Sequence, residues 1–180
     1  LSVIMLKNFN ISSFKKLKPP SDSSFDTAQE IKLLKKIPLN KKFVKDNDNI
    51  ESAFAKTAKD NNVKDYDKSI AANFIKKSAP IILDLKKHHN RKRPYELDSS
   101  LKAIVLKSMQ TPSYPSGHSV QGTSIAKLLA DKYPKAKSAF LKTGENISYS
   151  RSVARAHYKS DTKMGEKLGN SMYKHIKNKI

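Results

Sequence analysis

Apolar residues recur at helical spacing in several stretches of the chain, and no stretch alternates at strand spacing. From Ala28 to Ile37 the apolar positions Ala28, Ile31, Leu34 and Ile37 are spaced by three, behind Thr27 and Glu30 at capping-box spacing, which predicts a helix. The polar run Asp46-Asn47-Asp48-Asn49 predicts a turn, followed by a helix with Ile50, Ala53, Phe54 and Ala58 on one face. Between Tyr66 and Leu85, Ile70, Phe74, Ile75, Ile81, Ile82 and Leu85 mark helical segments. An interruption is expected at Pro80, because proline has no N–H to donate and clashes with the preceding turn. Leu101, Ile104, Val105 and Met109 suggest a short helix over Ser100 to Met109. Gly122, Ile125, Ala126, Leu128 and Leu129 define another, entered through Pro115-Ser116-Gly117-His118 and closed near Tyr133-Pro134. The last starts at Ser160 or Asp161, both good caps, and carries Met164, Leu168, Met172 and Ile176. The expected fold class is all-α, a helical bundle in a single domain.

Ahead of these helices, Lys15 to Ser24 reads KKLKPPSDSS, a combination of charge, a proline pair and small polar residues that favours extended chain. Residues 1–24 are therefore expected to form an extended arm and residues 25–180 the folded domain. Leu1 to Leu6 is too short an apolar run for the core of a signal peptide, so the start reads as a processed or trimmed end.

A length of 180 residues suits one domain with a buried core. The mean hydropathy is −0.64, and no apolar run approaches the roughly 20 residues that cross a bilayer as a helix. The absence of cysteine excludes disulfides, a thiolate metal site and a cysteine nucleophile. Thirty-six Lys and Arg against 16 Asp and Glu leave a net charge of +20, a field that attracts nucleic acid, acidic lipid surfaces or phosphorylated metabolites. Only Arg91, Arg93, Arg151 and Arg155 are arginines, so lysine supplies almost all of that charge. Arginine, whose planar fork fits phosphate bidentately, is confined to two short stretches.

Three pieces of sequence hold most of the residues suited to phosphate chemistry. The first runs from Lys86 to Pro94, with Lys86 seven positions before Arg93. The second, Pro115-Ser116-Gly117-His118, turns the chain into a helix, where free backbone N–H groups and the helix dipole favour an anion. In the third, Ser150-Arg151 precedes His157, and Asp161 follows four residues later. That spacing lets Asp161 accept a hydrogen bond from one imidazole nitrogen of His157 and leave the other free as nucleophile or base. Arg93 and Arg151 can each contact an oxyanion bidentately, and Lys86 adds a point charge.

Together these pieces resemble the three-part signature shared by the phosphatidic-acid-phosphatase type 2 superfamily, the class A bacterial non-specific acid phosphatases and the vanadium haloperoxidases. All eleven fixed positions are present in order, three in the first piece and four in each of the others. The resemblance implies a helical bundle with the site at one end, and a soluble, metal-independent phosphomonoesterase. By that resemblance His157 would form a phosphohistidine, Asp161 would orient it, and His118 would protonate the leaving group and later activate water. Lys86, Arg93 and Arg151 would clamp the phosphate oxygens with Ser116 and the backbone N–H of Gly117. No metal or other cofactor is implied. The expected partner is a phosphorylated small molecule or lipid phosphate, without obligatory nucleic acid; periplasmic or secreted placement follows from the resembled branch, and the oligomeric state stays open. The interval from His118 to Ser150 is short for the family, which leaves the active-site lid in doubt, and the transmembrane helices of the lipid-phosphatase branch are lacking.

Each residue also has a plainer reading. Lys86 in so lysine-rich a chain could be solvated surface, with Lys87 or Lys92 serving instead. His88, His89 and His175 fall outside the signature and read as exposed or packing residues, and Arg155 is not a fixed position. Two other functions compete: a vanadate-dependent haloperoxidase, disfavoured by the length of the chain, and a basic protein binding nucleic acid or acidic membrane on an inactive phosphatase scaffold.

Overall fold

The computed structural model describes residues 5–178, and among them it contains helices and turns but no strand. The chain is all-α, as the periodicity predicts. Among the described residues nine α-helices follow in order: α1 (Ser12–Lys16), α2 (Phe25–Lys36), α3 (Lys41–Asp46), α4 (Ile50–Asp60), α5 (Ser69–His89), α6 (Pro94–Leu97), α7 (Gly117–Lys132), α8 (Lys137–Val153) and α9 (Lys159–Lys177). Short 3-10 turns cover Ser99–Leu101, Lys107–Gln110 and Pro134–Ala136.

Asparagine and serine caps fix several starts: Asn40 Oδ1 takes the Phe43 N–H, Asn49 Oδ1 the Ser52 N–H, and Ser24 Oγ the Thr27 N–H. This last bond corrects the capping box expected at Thr27 and Glu30. The cap of α2 is Ser24, and the Glu30 carboxylate leaves its own helix to accept the Ser160 N–H at 2.6 Å.

α7 lies at the centre and packs most extensively against α8 and α9. Close approach there depends on missing side chains. A Cβ on Gly144 would stand 2.6 Å from Ala126 Cβ, and one on Gly165 would stand 2.7 Å from the Ser116 carbonyl oxygen. Phe54, Phe74, Leu85, Leu129, Phe140, Ile147, Leu168 and Met172 fill the main core among α4, α5, α7, α8 and α9. Arg155, held at φ 56°, donates to Leu101 O at 2.6 Å, Ile37 O at 3.1 Å and Lys35 O at 3.2 Å, gathering the end of α2 onto the Ser99–Leu101 turn.

Four local expectations change. α5 runs unbroken through Pro80, which sits on the exposed face while Phe74, Ile82 and Leu85 of the same helix are buried; their burial outweighs a proline cost of about 3 kcal/mol. Ser100 to Met109 is two 3-10 turns joined by irregular chain, in which the Ile104 N–H pairs with Ala154 O at 2.9 Å instead of a helical partner. α9 begins at Lys159, with Tyr158 as its cap. Within the stretch expected as an arm, α1 forms and Met5, Leu6 and Phe14 enter the main core, whereas Lys18–Ser21 is non-helical. The histidines outside the signature fasten this segment: His88 to Lys15 O at 3.1 Å, His89 to Phe14 O at 3.1 Å and His175 to Lys7 O at 2.8 Å. Residues 1–4 of the expected processed end lie outside the described residues.

Candidate active site

Five segments meet at one end of α7. The end of α5 brings Lys86, the chain leading into α6 brings Arg91 and Arg93, and the segment before α7 brings Ser113 and Ser116. The α3–α4 turn brings Asp48; the end of α8 and the start of α9 bring Arg151, His157 and Asp161. The Ser116 N–H donates to the Asp161 carbonyl oxygen at 3.1 Å, so the entry to α7 and the start of α9 are tied directly. Ser116 also caps α7, its Oγ accepting from the Ser119 N–H at 3.3 Å. The bond between Tyr114 and Pro115 is cis.

His157 is buried, with its Nδ1 3.1 Å from Asp161 Oδ2. Arg93 Nη1 lies 3.0 Å from His157 Nε2. A guanidinium can only donate, so Nε2 carries the lone pair and Nδ1 carries the proton that Asp161 accepts. Arg93 is held in front of the ring by the carbonyl oxygens of Thr111 at 2.9 Å, Ala156 at 3.2 Å and Ser108 at 3.2 Å. Asp161 is fully buried, and its Oδ2 also accepts from Ser113 Oγ and from the Tyr158 N–H at 3.1 Å. One carboxylate oxygen thus closes the first turn of α9 and holds the imidazole.

Lys86 is the one buried lysine among the described residues, whereas Lys87 and Lys92 are exposed. Its Nζ donates to Pro112 O at 2.7 Å, and its Cε lies 4.0 Å from where a Cβ on Gly117 would stand. Burial first, and then the Arg93 charge, lower its pKa well below the usual lysine value. Arg151 is 1% exposed and donates through Nε to Ser150 Oγ at 3.1 Å and through Nη1 to Asp48 Oδ1 at 3.3 Å. Its Nη2 is buried without a hydrogen-bond partner among the described residues. His118 Nε2 donates to Asp48 O at 2.8 Å.

Both histidines favour the neutral form. His157 falls well below 6.5 through burial and then the charges of Arg93, Lys86, Arg151 and His118. His118 is lowered to about 4 by burial and then by Arg151, against Asp48. Desolvation is therefore the leading cause for both rings, ahead of the neighbouring cations. Asp161 is itself raised by desolvation, with Arg91 as the strongest opposing influence.

The structure brings Lys86, Arg93, His118, Arg151 and Asp161 into contact with or electrostatic reach of His157; Ser116 joins through its backbone N–H on Asp161 while its hydroxyl pairs with Ser119, and Gly117 lies beside the Lys86 stem. Arg91, Ser113, Asp48 and Glu30 join them although no motif position points to them. Scarcity was a usable signal for Arg91, one of only four arginines. Among the described residues no group of three or more His, Asp and Glu converges as a metal-binding cluster. What converges is cationic, and such a site can hold a tetrahedral oxyanion against an imidazole lone pair.

An all-helical scaffold with cations gathered around a buried His–Asp pair is the class that these observations define. The chain matches no family model. It is 34% identical over 102 residues to an acid phosphatase of Zymomonas mobilis subsp. mobilis, a match that covers 52% of this chain and 38% of that protein. The matched region thus spans less than two fifths of that relative's length, and the likeness supports kinship with a phosphatase.

Proposed function

We propose that the chain is a phosphoric monoester hydrolase of the acid phosphatase and haloperoxidase fold, with His157 as its nucleophile. The observation that carries this reading is a buried His157 whose Nε2 lone pair faces the Arg93 guanidinium within the field of Arg151, whose buried Nη2 has no hydrogen-bond partner among the described residues. A bound phosphate offers its oxygens to Arg93 and Arg151, drawing the Arg93 guanidinium off Nε2. Nε2 then attacks phosphorus, the bond to the leaving oxygen breaks, and His118 gives that oxygen its proton. Water, deprotonated by His118, cleaves the phosphohistidine and restores both rings. Lys86, Arg93 and Arg151 neutralise the equatorial oxygens throughout, in a transfer that depends mainly on positioning and charge. The dianion itself raises the His118 pKa on binding, so the proton donor is charged only when a substrate is present.

Hydrolysis of 4-nitrophenyl phosphate tests the reading. Wild-type protein should turn it over, orthovanadate should inhibit, and His157→Ala should lose about 10⁴-fold or more in kcat. Phosphorus-32 from a labelled substrate should stay on the wild-type chain after alkaline denaturation, leave in acid, and be missing from His157→Ala. Undiminished turnover in that variant would overturn the assignment.

A further inference from the structure

The Arg91 side chain is 1% exposed yet lies outside the phosphate-binding set described above. Its Nη1 donates at 2.7 Å to Asp161 Oδ1, the oxygen of that carboxylate opposite His157, and at 2.7 Å to Ser160 Oγ. Its Nη2 reaches Glu30 Oε2 at 3.3 Å and Thr27 Oγ1 at 3.4 Å, and its guanidinium lies 3.7 Å above the Tyr158 ring. Glu30 in turn accepts from both the N–H and the hydroxyl of Ser160, at 2.6 and 2.8 Å. The result is a continuous line from α2 to the nucleophile, Glu30 to Arg91 to Asp161 to His157.

We propose that Arg91, itself held by Glu30, is a positioning residue that keeps Asp161 ionised and aimed at Nδ1, thereby fixing the His157 tautomer whose lone pair is on Nε2. The proposal rests on His157 acting as the nucleophile. A carboxylate buried this completely sheds its charge unless a cation faces it. Around Asp161 the charged and titratable groups are Arg91 and Arg93 from the α5–α6 connection, Lys86 from α5, Tyr114 ahead of α7, and Tyr158 and His157 on its own segment; of the other cations Arg93 is turned to His157 Nε2. Lys86 bonds to Pro112 O and His157 is neutral, so Arg91 is the cation that touches the carboxylate. A neutral Asp161 could present a hydroxyl to His157 and invert the tautomer, which would put a proton where the attacking lone pair must be. Glu30 performs for Arg91 what Arg91 performs for Asp161, from a helix more than fifty residues ahead of the motifs.

Two variants and two readouts test this. Arg91→Lys keeps a charge but loses the fork; Glu30→Gln keeps the size and removes the charge that holds Arg91. Both should lower kcat, Arg91→Lys by about 10- to 100-fold and Glu30→Gln by less, with KM within about threefold of wild type. The acid limb of the kcat profile should move to higher pH, because Asp161 then protonates more readily. Imidazole nitrogen-15 spectra at neutral pH should show His157 protonated on Nδ1 in wild type and lose that pattern in the variants. If Arg91→Lys does not fold, Glu30→Gln decides. A folded variant that melts earlier yet keeps the wild-type acid limb and His157 spectrum overturns the proposal and leaves Arg91 a structural tie. An inactive wild type would overturn the phosphatase reading alone, since the spectra report the tautomer without turnover.

Discussion

On the proposed function, Arg151 illustrates what a residue held for a ligand costs the free protein. A buried donor without an acceptor is destabilising by about 1–3 kcal/mol, and Arg151 Nη2 is such a donor. Arg151→Met keeps much of the length and apolar volume while removing the fork. Calorimetry should find its melting temperature equal to wild type or higher, since the neighbour left behind, Asp48, is 39% exposed and can hydrate. Vanadate should inhibit this variant at least about tenfold more weakly. A variant less stable than wild type with unchanged vanadate inhibition would show Arg151 to be a structural ion-pair residue. Motif spacing made Lys86, Arg93, Arg151, His157 and Asp161 legible as candidates because it is a sequence property. Asp48 and Ser113 were not legible, because a short polar side chain in a turn looks the same whether it faces water, a buried arginine or a buried carboxylate.

Among the elements, α4 and α9 were readable because each turns one apolar stripe to the core, and the central α7 because its apolar cluster from Ile125 to Leu129 follows a Pro-Ser-Gly entry. α8, the seventeen-residue helix that delivers Ser150 and Arg151, gave no such pattern. It is pressed between neighbours, and its buried positions include Gly144, Ser148 and Ser150, so small and polar residues dilute its periodicity. α9 shows how tightly an element sets the site. Gly165 passes the Ser116 carbonyl oxygen, and an added Cβ would lie 2.7 Å from that oxygen and 2.7 Å from Ser119 Cβ. Gly165→Ala should therefore cost about 1–3 kcal/mol and reduce kcat, because relieving the overlap pulls Asp161 away from the Ser116 N–H that it holds. At Gly117 the same addition meets only Ile82 at 3.6 Å and Lys86 at 4.0 Å, so Gly117→Ala should fold with near-wild-type stability. Denaturant unfolding of the two variants side by side measures the contrast; equal losses would refute the account of the α7–α9 contact.

At the scale of the whole molecule, the cationic cleft must make stability depend on pH with a definite sign. His118 has an ordinary value of 6.5 and is lowered to about 4 in the folded protein, and His157 is lowered as well. Between those values the unfolded chain binds protons that the folded chain refuses, so the His118 contribution is complete above about pH 6.5 and declines as pH falls toward 4, whereas Lys86, lowered to about 7, loses its own contribution at higher pH, as pH falls from 10.5 toward 7. At 1.36 kcal/mol per unit, His118 alone accounts for about 3 kcal/mol over that span. Asp161 has the opposite sign: its raised value contributes stability at low pH that is lost as pH climbs through the folded value, offsetting part of the histidine effect. Two histidines against one carboxylate leave a net loss on acidification. The melting temperature of the free protein should thus fall between pH 7 and pH 4.5, and His118→Asn should flatten the curve by removing one refusing site. The net charge of +20 adds self-repulsion as surface carboxylates protonate, but wild type and variant share that contribution, so their difference isolates His118. Added orthophosphate should raise the melting temperature most at the acidic end, because a bound anion lets the buried imidazoles keep their protons. Parallel curves for wild type and His118→Asn, with no extra protection by phosphate at low pH, would mean that His118 does not sit in the anion's field.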